Sequence, residues 1–299
     1  MTQYLINDSR LTAIADAIRE KGGYESLMTP LEMPGYISNI ETSSEDGDAL
    51  LYGNGTTPGS FTIVPFATGT DDQIAALIDA AHEGDVDLQN DCGWAVGDTR
   101  TINISAFTGA GERSHATQNV NIVITSFDDY MNCGCLLQFD FKNYIKGIQN
   151  YESGSNVPTG GYRTSAMKNT TLPALVNALP MWLKSRLIEF SCLASAGNLS
   201  STIETVSGNK LALRSEVELT GENTYSYPGE GSQLAYYTNS SNRGKVSYTS
   251  VYDRGNYWLR SGANNYATYA LYYSTYYGNV STQVKSAGDY YYLAPFGCL

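Results

Sequence analysis

Charge is scarce in this 299-residue chain. Only 16% of residues are Asp, Glu, Lys or Arg, against about 25% in an average globular protein. The polar surface must therefore come from Ser, Thr, Asn, Gly and Tyr. Basic residues are the scarcer sign, 18 against 30 acidic, for a formal charge of -12. Without clustered Lys and Arg there is no electrostatic footprint for nucleic acid. No apolar run approaches the roughly 18 residues of a membrane span. The first residues, MTQYLINDSR, lack the basic and then apolar run of a signal peptide, so a chain made and folded in a bacterial cytoplasm is expected. Five Cys is an odd number for a disulfide framework. Cys133 and Cys135 form a C-x-C pair with no second pair at metal-ligand spacing, and Cys92, Cys192 and Cys298 stand alone. Buried reduced thiols are the expectation, with no metal and no cofactor.

Phe is also scarce, 8 against 24 Tyr, and 16 of those Tyr lie between Tyr225 and Tyr292. Of the 37 residues at 256–292, 29 are Tyr, Asn, Ser, Thr, Ala, Gly or Asp. Tyr set among small polar residues is the composition of a paratope, where rigid rings supply contact area and small residues adapt. The plainer reading is a Tyr-rich β-surface without a ligand. Adjacent pairs such as Tyr272-Tyr273 and Tyr276-Tyr277 speak against an all-core role, because neighbours on a strand point to opposite faces. The same alphabet arises when adenines in AAY codons for Asn are replaced at random.

Residues 1–41 read as a small helical unit, with Asn7, Asp8 and Ser9 as N-caps and Leu11, Ile14, Ala15 and Ile18 on one face. Residues 42–60, rich in Gly, Ser, Thr and Asp, read as a linker. A main domain spans 61–299. Thr70 followed by Gln73 is a capping box that opens a helix ending near Gly84. Alternation predicts strands over Thr101–Ala106 and around Val120, Ile122 and Ile124, with another over Leu136–Phe141. Thr171 as cap and Pro173 in the first turn predict a second long helix, broken at Pro180. From about Lys210 onward short strands and turns are expected. The whole is an α+β pattern.

Catalytic groups do not assemble from the sequence. His115 lies near Glu112, but no nucleophile stands at a recognisable spacing, and a hydrogen-bonded loop His is expected. His82 closes a helix, where a cation complements the dipole. Asp71, Asp72, Asp85 and Asp87 match no calcium loop, and Asp128 and Asp129, adjacent, would point in different directions from a strand. The Gly-rich pieces at 53–55 and 109–111 read as turns rather than phosphate loops. Trp258-Leu259-Arg260-Ser261 reads as a fixed frame, with Trp258 in the core and Arg260 tying down a loop.

Several stretches carry a resemblance. LTAIADAIREKGG (11–23) looks like a short helical motif of bacteriophage tail and baseplate proteins. VPFATGTDDQIAALIDAAHEGDVDL, WAVGDTRTINISA, GERSHATQNVNIVI, KLALRSEVELTG, EGSQLAYYTN and YWLRSG are similar, in matching order, to a phage-associated domain family of unassigned function. That family resembles the C-type lectin fold, and some members are hypervariable targets of diversity-generating retroelements. The resemblance implies a phage tail protein of the virion, a receptor-binding adhesin for a host cell-surface protein or glycan. Other virion tail proteins would be its partners, and it could form a homo-oligomer such as a trimer. It implies a frame at Trp258–Ser261, a variable segment at about 256–292, and an invariant end LAPFGCL at 293–299. The variable, ligand-binding positions would be Asn264, Asn265, Tyr266, Thr268, Tyr269, Tyr272, Ser274, Tyr276, Tyr277 and Asn279. Where family members end in a segment like GVRPAF, this chain has GDYYYLAPFG, which leaves Tyr290–Tyr292 open between frame and variable surface. The E-P-N and W-N-D motifs of calcium-dependent lectins are missing, so no calcium-dependent sugar site is expected. Two other readings stand beside this one. A fixed virion structural or tail-assembly protein would bury the same Tyr against a partner. An enzyme related to formylglycine-generating oxidases, which share the fold, would need a reactive Cys pair, and Cys133 and Cys135 lack a supporting motif.

Overall fold

Helix α1 (Asp71–Glu83) is written at its two ends. The Thr70 hydroxyl accepts from the Gln73 amide at 3.3 Å, and the Gln73 side chain accepts from the Thr70 amide at 2.9 Å. Gly84 closes the helix in the left-handed region at φ 80°. Ile74, Leu77 and Ile78 are fully buried, and His82 sits in the last turn. The computed structural model describes residues 62–152, 161–265, 267, 269–275, 278–284 and 291–299. The expected helical unit at 1–41 and the linker at 42–60 lie outside the described residues.

The strands follow in chain order: β1 (Thr99–Ile104), β2 (Phe107–Gly109), β3 (Arg113–His115), β4 (Gln118–Ser126) and β5 (Gln138–Phe141). Ile102 and Ile104 face the core as the alternation predicts. Strand β1 stops at Ile104, however, and Ala106 is exposed, because the Ser105 amide turns away to the Ala178 carbonyl. In β4 the faces of Ile122 and Val123 are both buried. Polar Thr125 is buried as well, because it faces a charged network described below.

The expected long helix is in fact short. After α2 (Gly161–Thr164) the chain runs through a wide turn at Met167–Thr171 into α3 (Leu172–Ala178), with Pro173 in the first turn. Thr171 is not the cap: its backbone is already helical and its hydroxyl accepts from the Ala110 amide at 3.0 Å. Pro180 does break the helix. Leu179 is extended and α4 (Met181–Lys184) starts anew, burying Trp182 and Leu183.

A hairpin of β6 (Phe190–Ser195) and β7 (Ile203–Asn209) precedes β8 (Leu211–Ala212). Helix α5 (Glu216–Thr220) interrupts the stretch expected to hold only strands and turns. Its cap is a second capping box, Ser215 with Glu218. Strands β9 (Val246–Ser247) and β10 (Ser250–Arg254) form a hairpin. Then come β11 (Asn256–Gly262), β12 (Tyr269–Ser274), β13 (Asn279–Val284), β14 (Tyr291–Tyr292) and β15 (Phe296–Cys298).

Two sheets organise Ile63–Leu299, which is a mixed helix-and-sheet unit of the α+β kind. The larger has the order β1-β4-β5-β15-β8 and is antiparallel throughout. The C-terminal strand β15 thus sits inside a sheet begun 200 residues earlier. Close approach on both sides requires Gly297: a Cβ there would meet the Phe139 ring at 2.7 Å and Leu211 at 3.0 Å. The smaller sheet has the order β13-β12-β11-β14, in which only β14 runs parallel to its neighbour. No helix among the described residues is long and apolar enough to cross a membrane.

Candidate functional site

Strand β11 carries the frame, and all of Trp258, Leu259, Arg260 and Ser261 are buried. Period-2 geometry sends them to two different environments. Tyr257 and Leu259 join a core cluster with Leu219, Tyr237, Leu271, Tyr273 and Val280. Trp258 faces the other way. Its indole N–H donates to the Gln149 carbonyl at 2.6 Å, and its ring meets Tyr151 and Tyr291 at centroid distances of 5.6 and 4.7 Å.

All five guanidinium donors of Arg260 are used. Nε donates to the Leu193 carbonyl, Nη1 to the Leu213 carbonyl, and Nη2 to the Glu230 carbonyl. The remaining two hydrogens make a bidentate pair with Glu218 at 2.6 and 2.9 Å. Burial by itself would raise the Glu218 carboxyl, but the charge of Arg260 overrides it and holds the group below its usual range. Glu230 lacks such a direct partner. Burial pushes it up to about 7, against the pull of Arg260, while it accepts from the Ser195 amide at 2.7 Å and pairs with the Ser261 hydroxyl.

A second buried network lies under β5 and β8. Arg214 makes a fork with Asp140, donates to Gln138 and Thr125, and lies 3.6 Å from the centroid of the Phe296 ring. The Tyr237 hydroxyl donates to Asp140 Oδ2, which also accepts from Arg214 Nε, and Lys245 lies 3.4 Å from that hydroxyl. Desolvation brings the Lys245 amine down to about 8.

Against this frame the expected ligand positions divide. Asn265 and Asn279 are exposed, and Tyr269 and Tyr272 are half-buried. Tyr266, Thr268, Tyr276, Tyr277 and Tyr290 lie outside the described residues. Ser274 is a correction: it is buried at the end of β12, so it does not present to a ligand. Asn264 is held by its own chain, since its amide donates to the Tyr225 carbonyl and its side chain to the Ser226 carbonyl. Within the Tyr272-Tyr273 pair the faces do split, with Tyr273 buried against Tyr257 and Tyr272 packed at a tilt on Tyr291. Tyr291 belongs to the core side, and Tyr292 stacks on Tyr144 at 4.1 Å. Much of the tyrosine excess is therefore interior: Tyr237, Tyr257, Tyr273 and Tyr291 are all buried.

No family model matches this chain, and neither does any curated protein or solved structure. The site therefore rests on its own geometry.

Three features were not legible in the sequence. A cleft of about 690 Å³ is lined, among others, by Ser126, Asp128, Tyr130, Glu218, Glu230 and Gln233, brought together from three stretches of the chain. There Glu218 is bidentate to Arg260 and also accepts from the Tyr130 hydroxyl at 2.8 Å, while the Ser126 hydroxyl donates to Asp128 at 2.8 Å. Cys298 does not stand alone: its sulfur, with those of Cys133 and Cys135, forms a triangle in which all lie within 4.8 Å of one another. His115 is not on a loop but in β3, where it is buried, stacks on Phe107 at 4.3 Å and bonds Gln149 at 3.0 Å. Burial lowers its pKa, so it is a neutral packing group at pH 7. Asp128 and Asp129 also lie beyond β4 rather than in a strand. Asp128 accepts from the Ser126 hydroxyl, and Asp129 from the amides of Gly134 and Cys135, so both shape the turn.

Proposed function

We propose that this chain is a phage tail-associated receptor-binding protein, presenting a hypervariable, Tyr-rich surface on a C-type lectin-like domain. A retroelement would diversify that surface. Recognition, rather than catalysis, is the mechanism. The observation that carries the reading is the contrast within one four-stranded sheet. Trp258 and Arg260 are buried and fully hydrogen-bonded, while the connected β12–β13 segment puts Asn279 in solvent and leaves Tyr269 and Tyr272 half open. A frame held by five guanidinium bonds tolerates change at its rim, which a diversified surface needs. The α+β arrangement and the resemblance of the frame motif YWLRSG support the lectin-like assignment. The ligand would be a host cell-surface protein or glycan, with several copies on one virion raising modest affinity by avidity. Attachment to other tail proteins falls to residues 1–41.

A second reading is favoured by one observation. Buried Tyr237, Tyr257, Tyr273 and Tyr291 account for part of the Tyr excess without any ligand. On that reading the chain is a fixed virion structural or tail-assembly protein. Deep sequencing of the gene and its flanks across one phage population separates the two. Diversification predicts substitutions confined to codons 256–292, at adenines of a nearby near-copy, sparing Trp258, Arg260 and Tyr273. An invariant segment without such a copy leaves the fixed protein.

A further inference from the structure

We propose that Cys133, Cys135 and Cys298 form a three-thiolate site for a zinc ion that clips the C-terminal strand to the 128–135 turn. The inference is independent of the binding function proposed above. Two of the ligands are neighbours in sequence, and the third arrives from 163 residues away on β15. Zinc–sulfur bonds of about 2.3 Å at tetrahedral angles place sulfurs roughly 3.8 Å apart. The observed triangle, within 4.8 Å, closes on such an ion with shifts of well under about 1 Å per sulfur.

The turn around the sulfurs is built as a cradle. Met131, Asn132 and Gly134 all adopt left-handed backbone, at φ 55°, 56° and 81°. The Asp129 carboxylate holds that path by accepting from the Gly134 and Cys135 amides at 2.8 and 3.1 Å. The Tyr130 amide points at the Cys135 sulfur at 3.3 Å, the N–H···S contact that steadies a coordinated thiolate. Cys135 and Cys298 are buried and Cys133 is half-buried. The ion therefore enters beside Cys133, where a water completes the tetrahedron. On binding, each thiol releases its proton to solvent and no electron moves. A disulfide would use two of the three sulfurs and strand the third. Soft thiolates select zinc over magnesium or calcium.

The gain is structural. Strand β15 pairs with both β5 and β8, and Cys298 sits opposite Gln138. An ion held by Cys298 and the turn before β5 ties the end of the chain into the large sheet, coupling metal affinity to folding.

The test uses the full chain, reduced and stripped by chelator, then titrated with zinc, and with cobalt as a coloured stand-in. The expected result is one zinc per chain, a raised melting temperature, and thiolate-to-cobalt charge-transfer absorption. Cys133→Ser, at the half-buried position, should match the wild-type melting temperature in chelator, yet weaken zinc binding by more than about tenfold and lose that absorption. Cys92→Ser, outside the cluster, should change neither. Fewer than five titratable thiols in protein purified without reductant, counted after denaturation in chelator, would overturn the proposal in favour of a disulfide. Substoichiometric zinc with no shift in melting temperature would overturn it in favour of packed, metal-free thiols.

Discussion

The Arg260 amide donates to the Arg214 carbonyl at 3.1 Å, so two residues with fully buried guanidiniums are joined through one backbone hydrogen bond. Each has its own carboxylate, Glu218 for Arg260 and Asp140 for Arg214. The bond ties the frame strand β11, inside the small sheet, to Arg214, two residues past β8 at the edge of the large one. The candidate binding face is thus anchored to the main sheet by charge pairs that water does not reach.

Arg260→Lys should be severely destabilising. Lysine offers three donors from one point, where the site has five acceptors in a planar fork. Glu218 would keep its burial and lose its bidentate partner, a loss of about 3 kcal/mol or more. Urea denaturation of both proteins measures it, and a loss below about 1 kcal/mol would contradict the anchoring role.

Glu230→Gln should stabilise the protein at alkaline pH. The carboxyl is raised from 4.5 to about 7 by burial. Between those values the folded state binds more protons than the unfolded one, so wild-type stability falls as pH rises through the window. The amide keeps the Ser195 and Ser261 contacts and does not ionise. The variant should be more stable by up to about 3 kcal/mol at pH 8 and nearly equal at pH 4.5, read as melting temperature against pH.

Lys245→Met should behave with the opposite slope. The amine is lowered from 10.5 to about 8, first by desolvation. Between those values the unfolded state binds more protons, so wild-type stability rises with pH. Removing the buried amine should stabilise by up to about 3 kcal/mol at pH 7, with the two proteins converging near pH 10.5. Parallel pH profiles would disprove it.

Tyr273→Ala and Asn279→Tyr should differ sharply although they lie in paired strands. Tyr273 is buried against Tyr257, and its truncation should cost about 3–5 kcal/mol. Asn279 and Asn265 are exposed, and replacing either by Tyr should stay within about 0.5 kcal/mol. Chemical denaturation of the three variants checks the division between interior and rim.

Local signals were read well where they were complete in a few residues. The Thr70–Gln73 box, Gly84 and the break at Pro180 each act through the backbone of their own turn. The Ser215–Glu218 box is equally local, but it opens a helix of only five residues within a stretch whose composition favours strands and turns. Thr171 misled for a related reason: a hydroxyl that could cap its own helix bonded instead to Ala110, 61 residues away. The candidate site was legible as a frame, since Trp258 and Arg260 are conspicuous in a Tyr/Asn/Ser background. Which neighbouring Tyr were interior was not, because Tyr serves core and surface equally well.

From the sequence alone came the α+β pattern, the start and end of α1, the break at Pro180, the low charge and the concentration of Tyr near the C-terminus. These follow from periodicity, caps and composition, which act over a turn or a strand. Tertiary structure alone decided that β15 lies between β5 and β8, that Ser274 and Tyr273 are buried, and that Arg214 meets Asp140. It also brought Cys298 to Cys133 and Cys135. Each is a meeting of residues far apart in the chain, chosen by packing and by the need to pair every buried charge, and neither requirement leaves a local mark in the sequence.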